Sequence, residues 1–191
     1  MKKDIILCGV GGQGILSIAT IIGEAATLAG IELKQAEVHG MSQRGGDVQS
    51  NLRLSTETIY SDLIPLGACD LIISMEPMEA LRYLPYLNGK GVVATGSKPL
   101  VNIPDYPDIE ALQAELKALP QVVQIDIEQV ARDAGNPRGA NVVLLGMAAR
   151  YLEILSTEQL RQAVATVFAR KGEAVVAANL KAFDAGLNVL I

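Results

Sequence analysis

Two stretches of this chain gather the groups that could do chemistry. The first is Glu37–Gly46, read EVHGMSQRGG. One apolar residue, Met41, sits among Gly, His, Ser, Gln and Arg, so the run has little to pack with and does not read as core. It is longer than a tight hairpin turn, which takes roughly two to five residues. It reads as a loop at a strand end, a place that commonly carries function. Arg44 supplies a planar fork that binds carboxylate or phosphate through paired hydrogen bonds. Ser42 and Gln43 add small hydrogen-bonding groups, and Gly45 and Gly46 let backbone approach a ligand or partner closely. An ion pair of Arg44 with Glu37 or Asp47, bracing the loop, is the structural alternative. His39 is the single histidine of the chain. Its neighbours offer no partner for acid–base work, so it reads as a structural histidine ahead of a group lining a pocket.

The second stretch is Cys8-Gly-Val-Gly-Gly-Gln-Gly14. It follows the apolar run Ile5–Leu7 and opens a segment whose Ile15, Ile18, Ile22 and Ala25 recur at helical spacing. Strand, glycine loop and helix is the context in which Gly9-x-Gly11-x-x-Gly14 gains meaning. The free N–H groups and dipole of a helix start favour an anion there. Gly9, Gly11, Gly12 and Gly14 would shape that loop, with Gln13 poised to hydrogen-bond across it. The same glycines equally suit close packing of a helix on a sheet.

Several chemistries lack their residues. A hydrolase needs a nucleophile with a base, and His39 is the one imidazole available. There is no G-x-S-x-G elbow, no Walker A lysine after the glycine loop and no GDG thiamine-diphosphate signature. Two cysteines, Cys8 and Cys69, are too few for an iron–sulfur cluster. With a single histidine a zinc site is disfavoured, and no metal site is expected. Both cysteines lie beside apolar strands and read as buried thiols of a reducing, cytoplasmic environment. Dinucleotide binding stays open. Glu37 lies 23 residues after Gly14, near the strand-end acid that holds a ribose about 20 residues beyond a Rossmann glycine loop.

The 191 residues fit one domain, 1–191. They are half hydrophobic with a mean hydropathy of +0.30, apolar for a chain with 19% charged residues. No run approaches the ~20 apolar residues of a membrane span, and the N-terminus has no signal-peptide layout. The apolar excess points to a well-covered sheet or a subunit interface, and leaves a homodimer open when the chain is alone. A net charge of −5 with scattered cations excludes a nucleic-acid surface.

The elements that must position the two loops follow from periodicity. Strands are expected at Lys3–Cys8, Glu32–Val38, Asp47–Leu54, Asp70–Met75, Gly91–Thr95 and Val122–Ile125. Helices are expected at Gln13–Ala29 with Gly30 past the end, Pro77–Tyr86, Asp108–Ala118, from the Asp126-x-x-Gln129 cap to Gly135, Pro137–Leu155, from the Ser156-x-x-Gln159 cap to Arg170, and Glu173–Leu187. Val101–Pro107, with two prolines, is an extended connection. Asn141 falls in the first turns of a helix, where it serves the glycine loop or an interface, or is a buried amide satisfied by backbone. Met75, Met78 and Met147 read as core. Strands 32–38 and 47–54 have no room for a crossover helix, so they pair antiparallel or are not neighbours. The result is a three-layer α/β/α Rossmann-like domain with a mixed, mainly parallel sheet and a helical C-terminal third.

The runs GVGGQGI (9–15) and EVHGMSQRGG (37–46) together resemble the gamma domain of the 2-oxoacid:ferredoxin oxidoreductases, and most of all its indolepyruvate-type branch. YSDLIP (60–65), EPMEALRYLP (76–85) and NVVLLG (141–146) match that pattern in the same order, so the resemblance covers essentially the whole chain. Relatives acting on 2-oxoglutarate or pyruvate usually carry a stretch with tyrosine and proline before Arg-Gly-Gly, which is absent here. The resemblance implies a divided enzyme. A larger alpha subunit would carry thiamine diphosphate, magnesium and 4Fe–4S clusters, in a heterodimer or heterotetramer. The complex would decarboxylate an aryl pyruvate oxidatively to an aryl-acetyl-CoA and pass electrons to ferredoxin. This chain would bind no cofactor alone. It would set His39, Ser42, Gln43, Arg44, Gly45 and Gly46 near the substrate and coenzyme A side of the site. A non-catalytic assembly module is the third reading.

Overall fold

A computed structural model of the chain describes residues 1–39 and 45–189. Among the described residues apolar runs, alternating or continuous, build six strands: β1 (Lys2–Val10), β2 (Glu32–His39), β3 (Asp47–Ser55), β4 (Cys69–Ser74), β5 (Leu87–Gly96) and β6 (Val122–Ile125). They form one sheet in the order β2-β3-β1-β4-β5-β6. β1, β4, β5 and β6 run parallel, whereas β3 is antiparallel to both β1 and β2. The connection from β2 to β3 is too short for a crossover, and the two strands are direct antiparallel neighbours, from Glu32 opposite Ser55 to His39 opposite Val48. The sheet is mixed and mainly parallel.

Among the described residues seven helices cover it: α1 (Ile15–Leu28), α2 (Pro77–Arg82), α3 (Ile109–Lys117), α4 (Ile127–Asp133), α5 (Ala140–Ala148), α6 (Thr157–Phe168) and α7 (Glu173–Leu187). Ile5 and Leu7 of β1, Leu52 and Leu54 of β3 and Leu71 and Ile73 of β4 point into one core with α1, α4, α5, α6 and α7. Ile6, Cys8, Ile72 and Val93 point the other way, into a smaller core with α2 and α3. Period-two alternation therefore sorts each inner strand between two helical layers. Met75 and Met147 are core, and Met78 packs at its margin. On the polar face of β3, Asn51 accepts from the Ile64 N–H and Arg53 donates to the carbonyls of Ser61 and Leu63. That face is roofed by a loop held through its backbone.

Several element ends differ from the periodicity reading, each for a local reason. α1 begins at Ile15 because Gly14, with φ 87°, is its N-cap in left-handed geometry. α2 stops at Arg82 and continues as a tight turn over Leu84–Tyr86, since Pro85 lacks the N–H of a regular helix. The segment 137–155 is not one helix: α5 starts after Gly139, and a tight turn at Ala149–Tyr151 leads to Glu153, whose φ of 51° ends helical winding. α6 ends at Phe168, with Ala169–Lys171 forming another tight turn. Ser156 and Gln159 form the full reciprocal cap of α6. Asp126 accepts from the Gln129 N–H, but the Gln129 amide turns to Asp133, so α4 has half of that device.

The helical C-terminal third is fastened by a glycine crossing. α5 is apolar all round, with Val142 to Ala148 buried between the sheet and α7. A methyl at Gly146 would strike the Phe183 carbonyl, and one at Gly186 the Val143 carbonyl. The backbones touch there, so neither helix accepts a side chain without moving apart. Gly146→Ala should cost about 1–3 kcal/mol, the usual range for overpacking. A urea unfolding curve reads this as a lowered midpoint, and an unchanged midpoint would show that the two helices separate freely.

Candidate functional site

The chain reverses direction across the sheet between β1 and β4: from β1 it goes on to β2 and β3, from β4 to β5. Ligands of open α/β sheets settle at such a switch point, beyond the carboxyl ends of the strands. Both motifs meet here. β1 ends at Val10, directly opposite Asp47 at the start of β3. The Gly11 N–H donates to the Gly46 carbonyl at 2.8 Å, and the Gly45 N–H returns to the Gly11 carbonyl at 3.4 Å. The glycine loop and the end of the 37–46 loop are thus one backbone structure. Ser42, Gln43 and Arg44 lie outside the described residues, and of His39 the structure describes the strand position only.

The glycines divide by role. Gln13 closes the loop: its Oε1 accepts from the Val10 N–H at 2.7 Å, and its own N–H donates to the Val10 carbonyl. A Cβ at Gly9 would sit 2.8 Å from that Oε1 and against Ile15, so Gly9 is small for packing. Gly14 needs positive φ, and a Cβ there would lie 2.7 Å from Asn141 Nδ2. Gly12 differs. Its φ is 102°, yet a Cβ would meet nothing within 4 Å. Among the described residues no acceptor takes its N–H, nor that of Gly14. Gly12 is exposed and open to an incoming group.

Asn141, far away in sequence, holds the loop. Its Nδ2 donates to the Gly14 carbonyl at 3.1 Å, and its Oδ1 accepts from the Val142 N–H. Glu37, by contrast, is not at the mouth. It is exposed, sits level with Ser50 and hence with Leu7, and is separated from β1 by β3. Two strand spacings of about 4.8 Å each keep it from a ribose over the glycine loop. The β2 position beside β1 that a dinucleotide site requires is filled by β3.

A network that residue types alone did not single out braces the site from the other side. The Tyr83 hydroxyl lies 2.9 Å from both carboxylate oxygens of Asp47. Glu79 packs beside them and is held by Arg82 at 2.8 Å. Burial, with Asp47 close by, pushes the Glu79 carboxyl above its ordinary range. Burial and the Asp47 carboxylate push Tyr83 up as well. Glu76 is fully buried as the N-cap of α2. It accepts from the N–H groups of Glu79 and Leu100 and from the Tyr106 hydroxyl. The strap 97–107 is tied down this way, and its Asn102 donates to the Gly45 carbonyl at 2.7 Å. The signal for this network was present in EPMEALRY: an acid before Pro at a helix start is a cap. The partners across the sheet edge carried no signal. Cys8 and Cys69 are both buried, which raises both thiols, Cys69 to about 12.

A mixed α/β sheet with a glycine cradle at its switch point, bonded to the residues that lead into an inserted antiparallel strand, defines a Rossmann-like α/β module. Residues 4–189 match the family described as pyruvate ferredoxin/flavodoxin oxidoreductase, and the chain belongs to that family. It is 35% identical to the indolepyruvate oxidoreductase subunit IorB of Archaeoglobus fulgidus, over 100% of this chain and 96% of that one. It is 37% identical to the corresponding IorB of Pyrococcus horikoshii, over 98% and 96%. Among solved structures it superposes on the gamma subunit of a keto/oxoacid ferredoxin oxidoreductase from Geobacter sulfurreducens with a TM-score of 0.69 at 27% identity, covering 96% of this chain and 95% of that chain.

Tyr83→Phe removes a hydrogen bond to the Asp47 carboxylate, which is exposed and can turn to water, and should cost about 0.5–1.5 kcal/mol, read in urea unfolding. Glu79 sets a pH dependence. Its carboxyl is raised in the folded chain, so the unfolded chain releases the proton first and stability falls as pH rises above the ordinary value of 4.5. Glu79→Gln should flatten that limb of the stability–pH curve, and an unchanged slope would assign it to other groups.

Proposed function

We propose that this chain is the small, non-redox subunit of a thiamine-diphosphate-dependent, ferredoxin-linked 2-oxoacid oxidoreductase. Its complex acts on indolepyruvate and other aryl pyruvates and forms aryl-acetyl-CoA. The observation that carries this reading is the full-length match to indolepyruvate oxidoreductase subunits in a chain with two cysteines, both buried, and one histidine. Those are too few ligands for a cluster. Electron handling and thiamine chemistry therefore fall to an alpha subunit, in a heterodimer or heterotetramer served by ferredoxin. The chain 1–191 acts as one gamma-type domain of that assembly.

The residues of this chain bind and position. The open N–H of Gly12 and the start of α1 suit an anionic oxygen, such as a coenzyme A phosphate or a substrate carboxylate. Gln13 and Asn141 hold that cradle in shape. Arg44, with Ser42 and Gln43, extends the same anion recognition from the neighbouring loop, which His39 at the end of β2 leads into. Coenzyme A brings the acyl-accepting thiol. The exposed Val101 and Ile103 flank Asn102 beside the cradle and form an apolar surface suited to the partner subunit.

Co-expression with the alpha partner tests this. The isolated chain should show no oxidation of 2-oxoacids with an artificial electron acceptor, and the complex should prefer indolepyruvate to pyruvate and 2-oxoglutarate in kcat/KM. Arg44→Ala should lower kcat/KM of the complex about tenfold, the loss of one charged contact of about 1.4 kcal/mol, with the melting temperature unchanged. Turnover by the lone chain would overturn the reading.

A further inference from the structure

Behind Gly14 lies a second cleft, of about 490 Å³. Such a volume suits a small organic ligand and exceeds what a lone ion needs. Arg138 and Lys171 stand on its rim, both exposed. Neither makes an ion pair or donates a hydrogen bond among the described residues. Lys171 is steered by the Phe168 ring, 5.2 Å from its Nζ. The polar lining is otherwise neutral: Ser17, Asn136, Asn141 and Asn179, with no acid among them. Asn136 and Asn179 bond to each other, which fixes the amides as one floor. One wall is apolar, from Phe168 and Val175.

The surrounding backbone carries the same sign. α1, α5 and α7 all begin at this cleft, and each has a glycine N-cap with no side-chain cap. Their partial positive charges add to those of the two cations. The one first-turn acid, Glu173, lines a neighbouring groove between α6 and α7 instead. In a chain of net charge −5, a cleft lined by two cations and no acid is a local reversal of charge.

We infer that this cleft binds the phosphate of a phosphorylated small molecule, through Arg138 and Lys171, with the non-phosphate part of the ligand against Phe168 and Val175. The ligand is a nucleotide phosphate or free phosphate. The inference goes beyond the proposed redox role, because the cleft and both cations lie outside the 9–14 and 37–46 loops.

Titration calorimetry on the full chain at low salt tests it with three probes: adenosine 3′,5′-bisphosphate, inorganic pyrophosphate and adenosine. Saturable binding of a phosphate probe is expected, weakened at least tenfold in the double variant Arg138→Ala/Lys171→Ala, with adenosine not binding. Both cations are exposed, so the variant should keep its melting temperature. Tighter binding of the bisphosphate identifies a nucleotide phosphate, and equal binding of pyrophosphate a free phosphate. Either supports the site. Absence of saturable binding, or equal binding by the double variant, overturns it. Loss of binding in Arg44→Ala with the double variant unaffected would also overturn it, by placing the anion at the loop of the proposed redox role.

Discussion

The antiparallel insertion of β3 between β1 and β2 is the constraint from which the site follows. A nine-residue register runs from Lys2 opposite Ser55 to Val10 opposite Asp47. It delivers Gly46 to the Gly11 N–H at the mouth of the sheet. Two loops with separate origins in the chain are welded there by main-chain bonds. The weld also removes the geometry of a dinucleotide fold, since the strand that should lie beside β1 now lies one place further out.

Around that weld the molecule places its polar groups in two braces of different character. On the α1 and α5 side the brace is neutral, with Gln13 and Asn141 bonded to the backbone of the glycine loop. On the α2 side it is acidic, with Asp47, Glu79 and Glu76 answered by Tyr83, Arg82, Tyr106 and backbone N–H groups. Burying several carboxylates at one sheet edge is costly unless each finds donors. Here those donors come from α2 and from the strap 97–107, so the acids tie the strap to α2 at the edge of the sheet. Gly12 sits between the braces with open space before it, which fits a module that positions a group carried in by another molecule.

The glycine crossing of α5 and α7 explains the apolar excess of the composition. α5 is buried on every side, so Val142, Val143, Leu144 and Leu145 serve the core of this chain and not an outer interface. The exposed large apolar residues include Leu16 and Leu28 on α1, Val38 on β2 and Ile109 on α3, besides Tyr60, Leu63 and Leu66 on the loop that roofs β3 and Leu100, Val101 and Ile103 on the strap.

Much was legible in the chain itself. The unbroken apolar run Ile5–Cys8 marks a strand covered on both faces, and the alternation in Val48–Leu54 a strand with one wetter face, because successive strand residues point oppositely. Ser156 with Gln159 announces a helix start because both partners of the cap lie within four residues. These are local effects, and local effects are written in neighbouring residues. The place of β3, the bond from Asn141 to Gly14 across 127 residues and the Tyr83 hydroxyl on Asp47 are contacts between distant segments. They exist once the sheet has chosen its strand order, and that choice depends on how all the apolar faces are covered together, so it belongs to the tertiary structure.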